Sequence, residues 1–454
     1  MMAASRGRGG ALSRAVRGQS HAAMQRICLH RQCCYPRNVS ERETPQSRSG
    51  RLITATLVLA LAAGISGCAT TDADSAPASS VSLVTTPPAL PGEDARWWLG
   101  SGDAMLVHLI ETGFANNRDL ACAALALRNA DSKAESRSRR IDSRITRLFD
   151  TRGATADEAE RDARGFRYAS MRANLARTIA EAYLDVREAQ EILSMRQRLR
   201  AQFKDNAEIA AFRAEAGLVP GLDASLAGSL IALNDDEFAA ARTHLADRIA
   251  KLAALVGEPA EALTQQLGQT GAVPDIAAMP SDDEATTGIA GRADLRALER
   301  RLSAHLMREK VSQDEVSTDL TDSADAASPA GAVLRQWEQA MDRSQTELAR
   351  NNQAVVTAAK RQSDIEAAIG GADDAVSAAR LGYRNGTGNL ATLYVAEAAH
   401  LGLAESRVSA RADLARATIA MWTAQGRGWA VEDLAPPPPA QDEAGLNGEV
   451  LVCD

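Results

Sequence analysis

The sequence runs to 454 residues, carries a formal net charge of −8 and holds only 4% aromatic residues. The surplus of acids argues against nucleic acid as a partner and against direct attraction to anionic lipid. Abundant Ala, Arg, Leu, Glu and Asp, with almost no alternating Val, Thr or Tyr runs, point to a mostly helical, extended protein.

Residues 1–67 read as an address. Residues 1–51 contain ten Arg, no Lys and only Glu41 and Glu43 as acids, and the uncharged run LITATLVLALAAGIS follows from Leu52. This is a secretory signal with a long basic leader, or a shorter signal behind a start codon placed too far upstream, with Met24 or a later start being the real one. The run is too short to span a membrane as an anchor. It ends in Ile65-Ser66-Gly67-Cys68, which resembles the bacterial lipobox, so Cys68 is expected to carry covalent lipid. The competing reading is a buried cysteine after an ordinary cleavage site. Ala69 follows, where an aspartate would resemble the inner-membrane retention signal, and that favours the outer membrane. Without the leader, 41 basic residues face 57 acidic ones.

Residues 68–95 form a Pro/Ser/Thr-rich tether too polar to fold. A first repeat covers 96–270. Helical pattern begins near Asp103 and runs to about residue 139 with Leu106, Leu109, Ile110 and Phe114 on one face, and a second helix covers about 165–216. In it Leu175, Ile179, Ala182, Val186, Ala189 and Leu193 repeat at the 4-3 spacing of a coiled-coil seam. Arg196 and Arg200 interrupt that seam before Leu199 and Phe203 resume it, which implies a change of partner or a widened bundle. A third helix over about 222–256 ends at Gly257 and Pro259. An irregular linker, 271–291, leads to a second repeat over 292–434 with helices at about 292–312, 333–382 and 390–425. A Pro-rich polar tail occupies 435–454.

Two hairpin tips occupy corresponding places in the repeats. AGLVPGLDASLA (216–227) turns at Gly217, and NGTGNLATLYVAEA (385–398) turns at Gly386. Glycine ends a helix in the left-handed conformation without steric cost. Pro220 and Asp223 suit the first turn of the helix that follows.

These residues carry a resemblance. The lipobox, RWWLGSGDAMLVHLIETGFANNRDL (96–120), the first tip, ADLRALERRLSA (293–304), YRNGTGNLATLYVAEA (383–398) and the terminal GRGW (426–429) together resemble outer-membrane efflux factors, more narrowly the NodT-like lipoprotein branch of the TolC-like family. The match spans Cys68 to about Leu434. The resemblance implies an all-α protomer of two repeated antiparallel helical hairpins, a homotrimer closing into a periplasmic tunnel, and tips that dock the adaptor of a pump seated in the inner membrane. Gly217, Leu218, Val219, Pro220, Leu222 and Asp223 of one tip and Gly386, Thr387, Gly388, Asn389, Leu390 and Leu393 of the other are the expected contact residues. Turn geometry alone accounts for the glycines, whereas exposed Leu218 and Val219 ask for a partner. Thr392 stands where the first tip has Asp223, so the second tip is expected to bind more weakly.

One departure is large. The family inserts a β-hairpin between the first two helices of each repeat, and spanning strands need about ten alternating residues each. Residues 141–166 and 311–333 have no such room and do not alternate, and Asp157, Glu158, Glu160, Arg161, Asp319, Asp322 and Asp325 would face lipid. The barrel strands are expected to be absent or vestigial.

Enzyme motifs are missing: no HExxH, no Walker loop, no GxSxG and no dinucleotide fingerprint. No metal or other cofactor is expected beyond the lipid, the six His being scattered. The acidic runs 235–237, 282–284 and 373–374 read as solvated faces or helix starts. Cys122 and Cys453 lie far apart and match no metal or redox spacing. Trp97 and Trp98 read as packing of the tether rather than as interface anchors, with Trp422 and Trp429 covering the same belt. Two functions remain open: a lipid-anchored duct of a tripartite efflux or secretion system, or a barrel-less lipoprotein that conducts nothing.

Overall fold

A computed structural model describes residues 95–141, 151–218, 221–276, 289–309, 328–437 and Cys453, and no strand occurs among them. The expected single helix at 103–139 is two helices, α1 (Ala104–Asn116) and α2 (Arg118–Ile141). Asn117 takes φ −81° and ψ 117°, outside helical space, and its Oδ1 accepts a hydrogen bond from the Leu120 amide at 2.8 Å. That is the N-cap geometry asparagine favours. Its neighbour Asn116 donates its side-chain amide to the Val256 carbonyl at 2.9 Å, satisfying an open carbonyl at the end of the helix opposite.

The long helix α3 (Thr151–Glu215) has 65 residues, about 98 Å at ~1.5 Å rise per residue. It begins well before residue 165, running through most of the first segment where a strand pair was sought. Its early turns bury Ala156, Ala159, Ala163 and Phe166, a helical stripe of mostly small residues. Asp157 is only 5% exposed and is paired with Lys133 and Arg137 of α2 at 3.2 and 2.8 Å. The second segment is helical from Pro329 onward, while 310–327 lies outside the described residues.

The chain returns in α4 (Gly221–Val256), ended by Gly257 at φ 72°. A short helix not anticipated from the pattern, α5 (Ala260–Leu267), follows and buries Leu263 and Leu267. The second repeat holds α6 (Ala293–Glu309), α7 (Pro329–Asn385) and α8 (Leu390–Ala424). Pro329 opens α7, and Ser328 caps it by accepting from the Gly331 amide at 3.0 Å.

The two hairpins, α3 with α4 and α7 with α8, lie side by side. Helix α3 also meets α2 and α6 near its start and α8 farther along. Of the seam residues Ile179 and Val186 are fully buried, while Leu175, Ala182, Ala189 and Leu193 are half-buried, and Ala176, Ala180, Tyr183 and Leu184 on other faces are fully buried too. The fully buried ones share one core with Leu106, Leu109 and Ile110 of α1, Leu252 and Val256 of α4, and Ile419 and Trp422 of α8. Each large aliphatic side chain buried there contributes roughly 1.5–3 kcal/mol.

Beyond that core the seam changes partner. Arg196 reaches Glu237 on α4 at 2.9 Å and Glu405 on α8 at 2.7 Å, and Arg200 pairs with Asp235. The acidic run 235–237 therefore faces these arginines instead of lying open to solvent throughout. The linker is stitched down as well. The Val273 amide donates to Glu191 at 3.0 Å, and Arg411 donates to the Val273 carbonyl at 2.7 Å.

Candidate functional site: the paired helix tips and the belt that carries them

Both tips are built on one motif. At the first, the Gly217 amide bonds to the Ala214 carbonyl at 3.1 Å and the Leu218 amide to the Arg213 carbonyl at 2.8 Å. At the second, Gly386 bonds to Tyr383 at 3.1 Å and Thr387 to Gly382 at 2.9 Å. These are the paired backbone bonds of the Schellman helix stop, with Gly217 and Gly386 at φ 70° and 75°. The duplication is thus visible in the backbone. The second tip is tighter, because Gly388 also donates to the Gly382 carbonyl at 2.9 Å and a Cβ on it would come within 3.1 Å of that carbonyl carbon. Asn389 caps α8, accepting from the Thr392 amide at 2.8 Å.

The tips are joined into one end. Arg213 donates to the Arg384 carbonyl at 3.0 Å and stacks over the Tyr383 ring, 4.8 Å from its centroid. Just behind, Ala210 and Ala227 of the first hairpin pack against Tyr383, Leu390 and Leu393 of the second. Leu390 and Leu393 are 2% and 1% exposed, so their side chains hold the hairpins together and do not face outward. Gly217, Leu218, Gly386, Thr387, Gly388 and Asn389 are exposed, Leu218 at 72%. Asp223 is half-buried, and Val219 and Pro220 lie outside the described residues, as does Cys68. Leu222 falls in the first turn of α4.

Sequence reasoning missed Phe212 and Leu381, which are 69% and 62% exposed. Each stands five residues before its tip glycine. The repeat register was the signal that would have found them. It also missed Glu397, 1% exposed, which accepts two bonds from Arg380 at 2.7 Å each. Arg380 reaches on to Gln202 at 2.8 Å, tying α7 and α8 to α3. Its hydrogen bonds to the Glu397 carboxylate raise the Arg380 pKa above the ordinary arginine value.

At the other end of the core the tips are carried by a belt of tryptophans. Trp97 and Trp98 are 5% and 0% exposed, so they pack, as expected from the sequence. Trp97 lies 5.8 Å from Trp422, Trp98 lies 5.8 Å from Phe114, and Trp429 stands edge-on to Phe166 at 5.6 Å. Gly428, at φ 102°, lets the GRGW turn approach closely enough to donate to the Ala95 carbonyl at 2.8 Å. Asp433 is 3% exposed and accepts from Arg96 at 2.9 Å and from Arg172. Nearby, Asp103 accepts from the Met105 and Leu106 amides at 3.0 and 3.1 Å and from the Tyr183 hydroxyl at 2.6 Å. Burial, reinforced by that carboxylate, pushes the Tyr183 phenol well above its usual range.

One covalent tie was invisible in the spacing. Cys122 on α2 and Cys453 near the chain's end form a disulfide across 331 residues of sequence. The signal was arithmetic: if residues 1–67 are a leader and Cys68 carries lipid, as the sequence leads one to expect, Cys122 and Cys453 are the two cysteines left to pair.

Among the described residues no helix is long and apolar enough to cross a membrane, and no group of His, Cys, Asp and Glu is placed to hold a metal ion. No protein-family model and no curated protein matches the sequence. Solved structures do match. The chain is 19% identical to the outer-membrane channel OprN over 76% of its own length and 95% of that chain, with a TM-score of 0.61. For the Campylobacter jejuni outer-membrane channel CmeC the values are 12%, 76%, 90% and 0.59. For the Vibrio cholerae outer membrane protein VceC they are 17%, 73%, 98% and 0.58. The fold is that of a TolC-like helical tunnel protomer.

Proposed function

We propose that this chain is an outer-membrane-anchored lipoprotein of a tripartite efflux or secretion system. In this reading Cys68 carries the lipid, three copies close into a periplasmic helical duct, and the paired tips dock an adaptor that joins the duct to an inner-membrane pump. The observation that carries the reading is the joined tip end, where Phe212, Leu218 and Leu381 expose large apolar side chains far from the main core. Apolar groups grouped at one end of a long hairpin are the kind of surface a protein partner covers. The fold shared with outer-membrane channels supports the same reading.

The test is Leu218→Asp, made alone and with Val219→Asp. The expected result is loss of adaptor crosslinking and of efflux, with helix content and trimer unchanged, while Arg198→Asp on the exposed flank of α3 changes nothing. Undiminished crosslinking in the tip variants sinks the docking claim.

A second reading has its own support. Helix α3 runs from Thr151 through most of the segment where the resembled family places a strand pair, leaving nine residues between α2 and α3. Two spanning strands need about twice that. On this reading the protein engages the envelope without conducting. Single-channel recordings of the purified oligomer in planar bilayers separate the two, steady ion currents favouring the duct.

A further inference from the structure

Opposite the tips, the molecule gathers positive charge. Lys133 and Arg137 on α2, Arg164 on α3, and Arg301, His305 and Arg308 on α6 line a cavity of about 630 Å³. Among the described residues lining the cavity, two carboxylates face them. Asp157 is engaged by Lys133 at 3.2 Å, Arg137 at 2.8 Å and Arg308 at 3.6 Å. Glu160 is engaged by Arg164 at 3.4 Å and Arg308 at 3.7 Å. Among the described residues lining the cavity, five permanent cations against two anions leave a local surplus of positive charge in a chain whose net charge is −8. Arg301 and His305 have no hydrogen bond or ion pair among the described residues, although both line the cavity. A guanidinium with unused donors beside further cations is suited to an anion with several oxygens, above all a phosphate.

We propose that this cavity binds the phosphate of an anionic lipid headgroup. A phosphate could also come from a soluble phosphorylated ligand, and position decides between the sources. The cavity lies beside the C-terminal parts of α2 and α6 and the first turns of α3, the end of the molecule at which the resembled family carries its membrane strands. Along α3 it lies some 58 residues from Glu215, roughly 87 Å from the tips. This rests on the functional reading above, in which the tips point into the periplasm and this end meets the membrane. The overall negative charge of the chain does not oppose it, because charges beyond about 10 Å are screened at physiological salt and the local surplus decides. A protomer without spanning strands would then be seated by its own cationic end as well as by its lipid.

The experiment uses the chain from residue 68 with Cys68→Ser, so that neither acyl group nor basic leader contributes. Every described residue, from 95 onward, is retained in it. Flotation with vesicles of phosphatidylcholine containing phosphatidylglycerol is expected to carry the protein up, and vesicles of phosphatidylcholine alone are not. Arg301→Glu reverses an unpaired charge and is expected to reduce the floated fraction at least about tenfold. Arg198→Glu is expected to leave it unchanged. Inorganic phosphate should release the protein more effectively than chloride at equal ionic strength. Equal flotation of Arg301→Glu and the parent overturns the proposal. So does a phosphate-dependent rise in melting temperature without flotation, which would assign the cavity to a soluble phosphorylated ligand. No adaptor is present, so a failure here leaves the tip crosslinking result standing, and the reverse also holds.

Discussion

The belt and the tips are stabilised in opposite ways. At the belt, indoles, aliphatic side chains and a buried carboxylate from the chain's start, middle and end pack together, and its largest residues, Trp98 and Trp429, are 0% and 1% exposed. At the tips, a small cluster of alanines, Tyr383, Leu390 and Leu393 lies behind two glycine turns, and large apolar groups stay outside. The belt is where the fold is held. The tips are shaped by backbone geometry, which leaves their side chains free for another purpose.

The contrast breaks most sharply at Trp98. Trp98→Ala is expected to cost about 3–5 kcal/mol, because a fully buried indole leaves a cavity beside Trp97 and Phe114 of α1. A fall in the denaturant midpoint at unchanged slope is the readout, and a loss below about 1 kcal/mol would mean that the belt is not the fold's keystone. Asp433→Ala comes next. It strands Arg96 and Arg172, which are 18% and 17% exposed at the side chain, and because water reaches both, the cost should be about 2–3 kcal/mol, below that of a fully buried pair. Thermal unfolding with Asp433→Asn as comparison separates the lost charge from the lost hydrogen bonds. Smallest is Gly386→Ala, which forces a Cβ into the left-handed region at φ 75° for about 1–2 kcal/mol. The belt should not register it: tryptophan fluorescence of the native state is expected to stay unchanged.

The two regions also differed in how much could be read from the residues. The tips were legible because glycine at a helix stop has a backbone cause that a sequence displays, and Gly217 and Gly386 both sit at left-handed φ. Their side-chain roles were less so: Leu390 and Leu393 looked like contact residues, yet their burial depends on a neighbouring hairpin far away in sequence. Trp97 and Trp98 were legible as packing residues. The early turns of α3 were not, since a stripe made of Ala156, Ala159 and Ala163 carries little hydrophobic signal, and the charges beside it look like loop until their partners on α2 and α6 are known. The break at Asn117 hid because both neighbouring segments are helical in pattern, and only the side-chain cap tells them apart.

The bond between Cys122 and Cys453 turns most of the polypeptide into a closed ring, with both hairpins inside the loop. A protease that nicks either tip therefore liberates nothing: the two pieces stay covalently attached and migrate as one species until a reductant is added. Damage at these exposed turns, a kind of site open to cleavage, is thereby kept from becoming loss of a whole hairpin.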